Sequence, residues 1–322
     1  MKIKPKQVIL LLGIVALAIV VILNKNQFIK FWELLFSIKF YILVIVLVVQ
    51  LFSYYLNALY YQAILKKFKY NIKIYRLFEG ALAANFVNAI FPTAGIGGAA
   101  FLSQVLKPDV PRGEGFFVQI IRYVLSSIVT ALLIPVAIVL LLVGNHGSGG
   151  VFDFVILSAI IITALGIILL FIIKREHLVR KIIHWLENKF NFLNSINTEK
   201  FTKDFYRGFH AVFDDIRVML KPFLWSAAYI FIEVATLYLV FLAFGKVINP
   251  GVALMGYILA NIASLFGGAL ISIGAYELSL TGTLVALGQP FTLALSVTIV
   301  YRVVNMIIGL PPGFIFYRKY LE

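Results

Sequence analysis

Apolar runs recur along the chain, separated by short polar turns, and they predict a helical membrane protein. Runs long enough to cross a bilayer, near 20 residues each, occupy residues 40–61, 116–143, 151–173, 222–244 and 291–316. A further run at 8–23 follows Lys2, Lys4 and Lys6 and is expected to stay as an uncleaved first helix. Residues 26–39 carry Phe28, Phe31, Trp32, Leu35 and Phe36 at helical spacing, which predicts a helix lying in the membrane interface. Two apolar stretches are interrupted. Residues 77–106 contain Glu79, Asn85, Asn88 and Gln104 and are broken by Pro92, Gly95, Gly97 and Gly98. Residues 252–288 are broken by Gly267, Gly268 and Gly274, with Tyr276 and Glu277 directly after. The one sizeable polar region, 174–221, places Phe201, Phe205, Phe209, Val212, Phe213, Ile216, Met219 and Leu220 on a single helical stripe, expected to pack on the inner membrane surface or against the bundle.

Charge orients these elements. Ten Lys and Arg lie between Lys174 and Lys221, and a basic cluster from Lys66 to Arg76 has no acid within it. Cytoplasmic loops carry such an excess. If 77–106 crossed the membrane once, the larger basic region would fall outside; a re-entrant hairpin broken at Pro92 and Gly95 puts every basic loop inside. The same reasoning makes 252–288 a hairpin entering from the outer side, so that Arg318 and Lys319 return to the cytoplasm. Span, hairpin, span therefore occurs twice, over about 40–143 and about 222–316, in opposite orientation. The chain is expected to form one all-α, multi-pass domain of two inverted repeats, with both termini cytoplasmic. Ala84-Asn85 and Ala260-Asn261 echo one another, as do Ile120-Ile121-Arg122-Tyr123 and Ile299-Val300-Tyr301-Arg302.

Composition narrows the chemistry. Of 322 residues 62% are apolar and 13% charged, and mean hydropathy is +0.99; a soluble domain is nearer 25% charged. The absence of cysteine removes disulfides, thiolate metal sites and cysteine nucleophiles. The four histidines, His146, His177, His184 and His210, fall in segments read as loops, so no metal centre is expected. The net charge of +14 points to anionic lipid headgroups rather than nucleic acid. No HExxH, GxSxG or GxxxxGK[ST] motif is present, no catalytic residue or cofactor is assigned, and an enzyme is not expected.

Ionisable residues within membrane segments are costly unless paired or hydrated, which makes each a candidate for function. Arg122, Arg302 and Glu277 are expected to line one cavity with the hairpin residues Asn85, Asn261, Pro92, Gly95, Gly97, Gly98 and Gly274, where broken helices offer backbone N–H groups. Glu233 and Glu277 are candidate proton sites. The plainer alternative is a pair of structural ion pairs, Arg302 with Glu277 and Arg122 with Glu79.

The segment Asn88-Ala-Ile-Phe-Pro92-Thr-Ala-Gly-Ile-Gly-Gly-Ala-Ala-Phe-Leu102, with Ile273-Gly274-Ala-Tyr-Glu277, Leu287-Gly288 and Arg302, resembles the transmembrane region of lysylphosphatidylglycerol synthases, the flippase-like domain family. The resemblance runs from about Phe40 to Phe316. It implies movement of an aminoacylated phospholipid between leaflets, without the synthase activity that resides in a separate soluble domain. The family's Gly-x-Arg-Glu-like element is here Gly274-Ala-Tyr276-Glu277; Glu277 matches and the arginine is replaced. The expected function is a flippase-like transporter of a phosphate-bearing phospholipid or polyprenyl-linked lipid in the cell membrane, with anionic membrane lipids as partners and a homo-oligomer left open. The alternatives are a membrane-embedded lipid-headgroup enzyme and a non-transporting scaffold of a lipid or glycan synthesis complex.

Overall fold

The architecture comes from a computed structural model that describes residues 32–91, 95–144, 175–181, 198–213, 216–266 and 268–321, with single positions between 157 and 172. Nine helices of more than ten residues follow one another among the described residues: α1 (Phe40–Lys67), α2 (Ile74–Ile90), α3 (Ile96–Leu106), α4 (Arg112–Val143), α5 (Thr198–Phe213), α6 (Leu220–Ala243), α7 (Pro250–Phe266), α8 (Gly268–Ala286) and α9 (Phe291–Leu321). Four of them, α1, α4, α6 and α9, are long and apolar enough to cross a membrane. The chain is thus an all-α, polytopic membrane protein. The expected segments 8–23 and 26–31, most of 151–173, Pro92 and Gly267 lie outside the described residues.

Side-chain contacts fix the relative directions of the spans. The start of α1 meets the end of α6, where Lys39 N–H donates to the Ala243 carbonyl at 2.9 Å. The end of α1 meets the start of α4 through Tyr61 and Gln119 (2.5 Å). At that same end Lys319 of α9 reaches Glu79 of α2 at 2.7 Å. The basic segment 66–76, the loop 107–111 and the tail of α9 therefore share one end of the bundle. Near residues 39 and 244–250 at the opposite end the cations are Lys39 and Lys246.

Between the spans stand two antiparallel helical hairpins. In the first, Arg76 at the start of α2 pairs with Asp109 beyond α3 and donates to the Val105 carbonyl in the last turn of α3. Gly80 faces Leu102 and Val105. At the other end of the hairpin, Gly98 N–H donates to Asn88 Oδ1 at 2.8 Å. Both open ends lie beside the start of α4, and the tip stops at Tyr123 within that span. At 17 and 11 residues, α2 and α3 rise about 25 and 16 Å, and α3 is too short to cross a bilayer. In the second hairpin Gly256 of α7 lies against Leu280 and Leu284 of α8.

The contact pattern repeats between the two halves. The units α1 to α4 and α6 to α9 meet through α1 against α6, while α2 packs on α9 and α7 packs on α4. Each hairpin thus lies on the closing span of the other half. Lipid tails are as apolar as leucine, so such interfaces rely on close backbone approach. Glycines supply it: a side chain at Gly313 would meet the Leu82 carbonyl at 2.7 Å, and one at Gly251 the Ala137 carbonyl at 3.0 Å.

Two expectations are corrected. The stripe 201–220 is not one helix: α5 ends at Phe213, a 3-10 turn spans Ile216–Met219, and Leu220 already begins α6. The chain has to redirect there, because Phe201, Phe205 and Phe209 are buried on Phe116 and Phe117 at the foot of α4 while α6 runs along the bundle. The histidines are not all in loops, since His177 lies in the helical turn 176–181 and His210 in α5; their neighbours carry helical periodicity, and histidine does not break a helix. Among the described residues no group of three acidic or histidine side chains is placed to hold a metal. Glu114, 2% exposed at the start of α4, accepts from Arg207 of α5 at 3.2 Å. It also faces the Tyr70 phenol, which burial and the Glu114 carboxylate hold above its ordinary range.

Candidate anion site at the tip of the first hairpin

Gln119, Arg122 and Tyr123 occupy one face of α4 by their i, i+3, i+4 spacing, and Ala81, Ala84, Asn85 and Asn88 occupy one face of α2 in the same way. Where these faces meet α1, a small cavity of about 30 Å³ opens, walled by Tyr54, Asn57 and Tyr61 of α1, the α2 face, Gln119 and Arg122 of α4, and Tyr229 of α6. Small alanines make the room, and four amide side chains line it.

Arg122 brings the only charge to that wall. Its Nη1 donates to Asn57 Oδ1 at 3.1 Å, and its guanidinium lies over the rings of Tyr123 (4.9 Å) and Tyr229 (5.7 Å). Its Nε is buried with no acceptor. No carboxylate among the described residues pairs with it. The expected partner Glu79 is instead bonded by Lys319 at 2.7 Å and by Tyr320 at 2.5 Å. That correction has a geometric cause: Glu79 sits near the open end of the hairpin beside the end of α9, whereas Arg122 sits near the tip.

The tip itself is built on Gly95, whose φ of +88° is in the left-handed region. A side chain there would also collide with Tyr123, whose Cζ lies 2.8 Å from the Cβ position. Tyr123 in turn accepts from Gln119 (2.8 Å) and Asn88 (3.1 Å) and donates to the Gly95 carbonyl at 3.3 Å. Gly98 has no room for a side chain either, with Asn88 Cγ 2.6 Å from its Cβ position. Asn85 donates to Tyr54 at 2.8 Å.

The second hairpin arranges comparable residues differently. Gly274, at φ +116°, donates its N–H to Glu277 Oε2 at 2.8 Å. This is the bond a capping box makes to its cap, here inside α8, where the positive φ of Gly274 interrupts the regular turn. Arg302 Nε donates to Glu277 Oε1 at 2.5 Å, and the guanidinium lies 5.0 Å over Tyr276. The expected Arg302–Glu277 ion pair is therefore present. The structure does not bring Arg302, Glu277, Asn261 or Gly274 into the Arg122 cavity, and Asn261 spends its amide on the Tyr257 carbonyl of its own helix. Gly95 and Tyr123 are separated by the same number of residues as Gly274 and Arg302, so Gly98 takes the position of Glu277. The second hairpin carries a built-in carboxylate where the first has none.

Residues that sequence reading passed over complete the picture. Asn57, Gln119, Tyr54 and Tyr229 line the cavity, and Gln50, Asn305 and Tyr301 surround Glu233. The signal for them was an amide or phenol every third or fourth residue inside an otherwise apolar span.

Neither the curated proteins nor the solved structures contain a match to this chain. The family profile described as "Lysylphosphatidylglycerol synthase TM region" matches residues 8–313. With nearly the whole length matched, the chain belongs to the lysylphosphatidylglycerol synthase transmembrane-region family.

Proposed function

We propose that the protein is a flippase-like carrier that moves a phosphate-bearing lipid between leaflets and does no bond-breaking chemistry. The observation that carries this reading is Arg122: a guanidinium with an unsatisfied, buried Nε, in an amide-lined cavity within a membrane bundle, with no carboxylate partner among the described residues. A phosphate oxygen accepts from that Nε, amide N–H groups supply further donors, and Tyr54, Tyr61 and Tyr229 give the headgroup an amphipathic wall. Broken helices in oppositely oriented repeats are the common setting for a carrier's site near the membrane midplane.

In this reading the hairpins are re-entrant, the membrane is the cell membrane, and the end bearing Lys66, Lys67, Lys69, Arg318 and Lys319 faces the cytoplasm. Cysteines introduced into the cysteine-free chain at Lys69 and Pro108 are expected to label only from the cytoplasm, and those at Pro250 and Gln289 only from outside. Labelling of position 108 from outside would make the first hairpin a crossing and reverse every element after it.

Function is tested by reconstituting the purified protein in liposomes with headgroup-labelled anionic phospholipid and following loss of the outer-leaflet label to a membrane-impermeant quencher. Protein-dependent exchange with unchanged headgroup mass is expected. A changed mass supports a headgroup enzyme instead, and no exchange removes the carrier reading.

A further inference from the structure

Glu233 sits in the middle of α6, 4% exposed, where the two halves of the bundle meet. Among the described residues it has no cation partner. Gln50 Nε2 donates to its Oε1 at 3.0 Å and the Tyr301 hydroxyl to its Oε2 at 2.8 Å. The same Gln50 nitrogen lies 2.7 Å from Asn305 Oδ1 and 3.4 Å from Ser53 Oγ. An amide nitrogen has two hydrogens, so three oxygens compete for them.

The neighbouring donors are shared or spent elsewhere. The Ser53 hydroxyl has one hydrogen for the Gln50 carbonyl (2.8 Å) and the Glu233 carboxylate, and Asn305 gives its amide to the Tyr301 carbonyl (3.0 Å). Gln50 Oε1 is buried with no donor at all. The cluster therefore holds a carboxylate, two amide oxygens and a hydroxyl, drawn from α1, α6 and α9, with one positive charge too few. The nearest ionisable groups from the surrounding elements are Arg122 of α4, which is not in contact, and the phenols of Tyr54, Tyr229, Tyr257, Tyr276 and Tyr301. None of these forms an ion pair with Glu233. Glu277 differs, because Arg302 and the Gly274 N–H already satisfy it.

We propose that the Glu233–Gln50–Asn305–Ser53 cluster is a binding site for one monovalent cation, a proton or Na+. With a proton on Glu233, the carboxyl needs no counter-charge: its O–H donates to Ser53 Oγ, whose own hydrogen goes to the Gln50 carbonyl, while Gln50 keeps its amide hydrogens on Asn305 Oδ1 and the carboxyl. With Na+, the Gln50 amide turns over, and its oxygen, the carboxylate, Asn305 Oδ1 and Ser53 Oγ supply hard oxygen ligands, with one carboxylate matching one unit of charge. Either cation ties α1 of one repeat to α6 and α9 of the other. As a coupling site this rests on the carrier reading; as a binding site it does not.

The test uses the full chain purified in detergent. Thermal unfolding is followed first against NaCl replaced by choline chloride at fixed pH and ionic strength, and then from acidic to mildly alkaline pH in choline chloride. A cation that binds only the folded protein raises Tm on the order of 3 °C for each tenfold step above its dissociation constant. A rise with Na+ identifies Na+; a rise with acidity and no response to Na+ identifies the proton. Glu233→Gln is expected to abolish the response. A wild type that responds to neither, or no differently from Glu233→Gln, overturns the site. If Glu233→Gln does not fold, Tyr301→Phe decides. It keeps the carboxylate but removes a donor to its charged form, so binding tightens: the pH midpoint moves up if the cation is a proton, and half-saturation moves to lower concentration if it is Na+. An unmoved midpoint overturns the proposal. Lipid exchange is read separately: a cation response in a protein that exchanges no lipid keeps the site and removes the carrier reading, and the reverse result does the opposite.

Discussion

Arg122→Gln is expected to reduce lipid exchange in liposomes by about 100-fold while leaving thermal stability unchanged or slightly higher. The two halves of that result come from the same geometry. A charge-assisted bond to a phosphate contributes about 1.5–3 kcal/mol, and each 1.4 kcal/mol is a factor of ten in an equilibrium or rate. Because no carboxylate of the described residues pairs with Arg122, its removal strands no charge. The loss of its bond to Asn57 is offset by relief of the cost of enclosing a guanidinium with an unbonded Nε. Arg122→Lys keeps the charge but not the planar fork, and an intermediate loss of roughly tenfold is expected. Arg302 is the contrasting case. Arg302→Gln leaves Glu277 without its partner and lowers Tm, whereas Arg302→Met combined with Glu277→Leu removes both charges and recovers most of the loss. Exchange rates and melting curves on the same preparations check all four variants. A loss of stability in Arg122→Gln matching its loss of exchange would mean that the arginine holds the fold rather than a lipid.

Gly113→Val is expected to unseat α5 from the foot of α4. A Cβ at this position would lie 2.6 Å from the Phe205 nitrogen and 2.8 Å from Asp204 Cβ, and would also run into the Phe201 carbonyl. Two of the three obstacles are backbone, which cannot rotate out of the way. Overpacking of this kind costs about 1–3 kcal/mol, and displacement of α5 adds the burial of Phe201, Phe205 and Phe209 to the loss. Limited proteolysis across 198–213 reads the result: the wild type resists there and the variant is cut while the spans stay protected. Equal protection in both would show that α5 has room to shift without leaving its seat.

Much of this arrangement is legible in the sequence. Lengths of apolar runs locate α1, α4, α6 and α9, and the glycines at 95 and 98 mark where the first hairpin turns, because a positive φ at one and a close approach of Asn88 at the other leave glycine as the residue that fits. Boundaries move where polarity does not register the end of a helix: α1 continues through Lys66 and Lys67, whose stems and charges sit comfortably in its last turn. Partnerships are harder. Arg302 and Glu277 follow from antiparallel packing of α8 on α9, but Glu79 belongs to Lys319 because the end of α9 returns to the open end of the first hairpin, a long-range contact with no local signal. The acceptor-rich surroundings of Glu233 are spread over Gln50, Ser53, Tyr301 and Asn305. Each is unremarkable on its own helix, and only the meeting of the two halves gives them a shared chemistry.

The crosswise seating of the hairpins also governs the order in which the molecule is completed during synthesis. α2 packs on α9, which is made after every other helix described above, so Asn85, Phe86 and the face around Leu82 await their neighbour while more than two hundred residues are made. Until α9 arrives, Glu79 lacks Lys319 and Tyr320, and Tyr54 and Asn85 lack the flat surface of Gly309. A chain stopped before Phe291 holds an unfinished first half as well as a truncated second, with Glu79 left on α2 without the α9 groups that bond it.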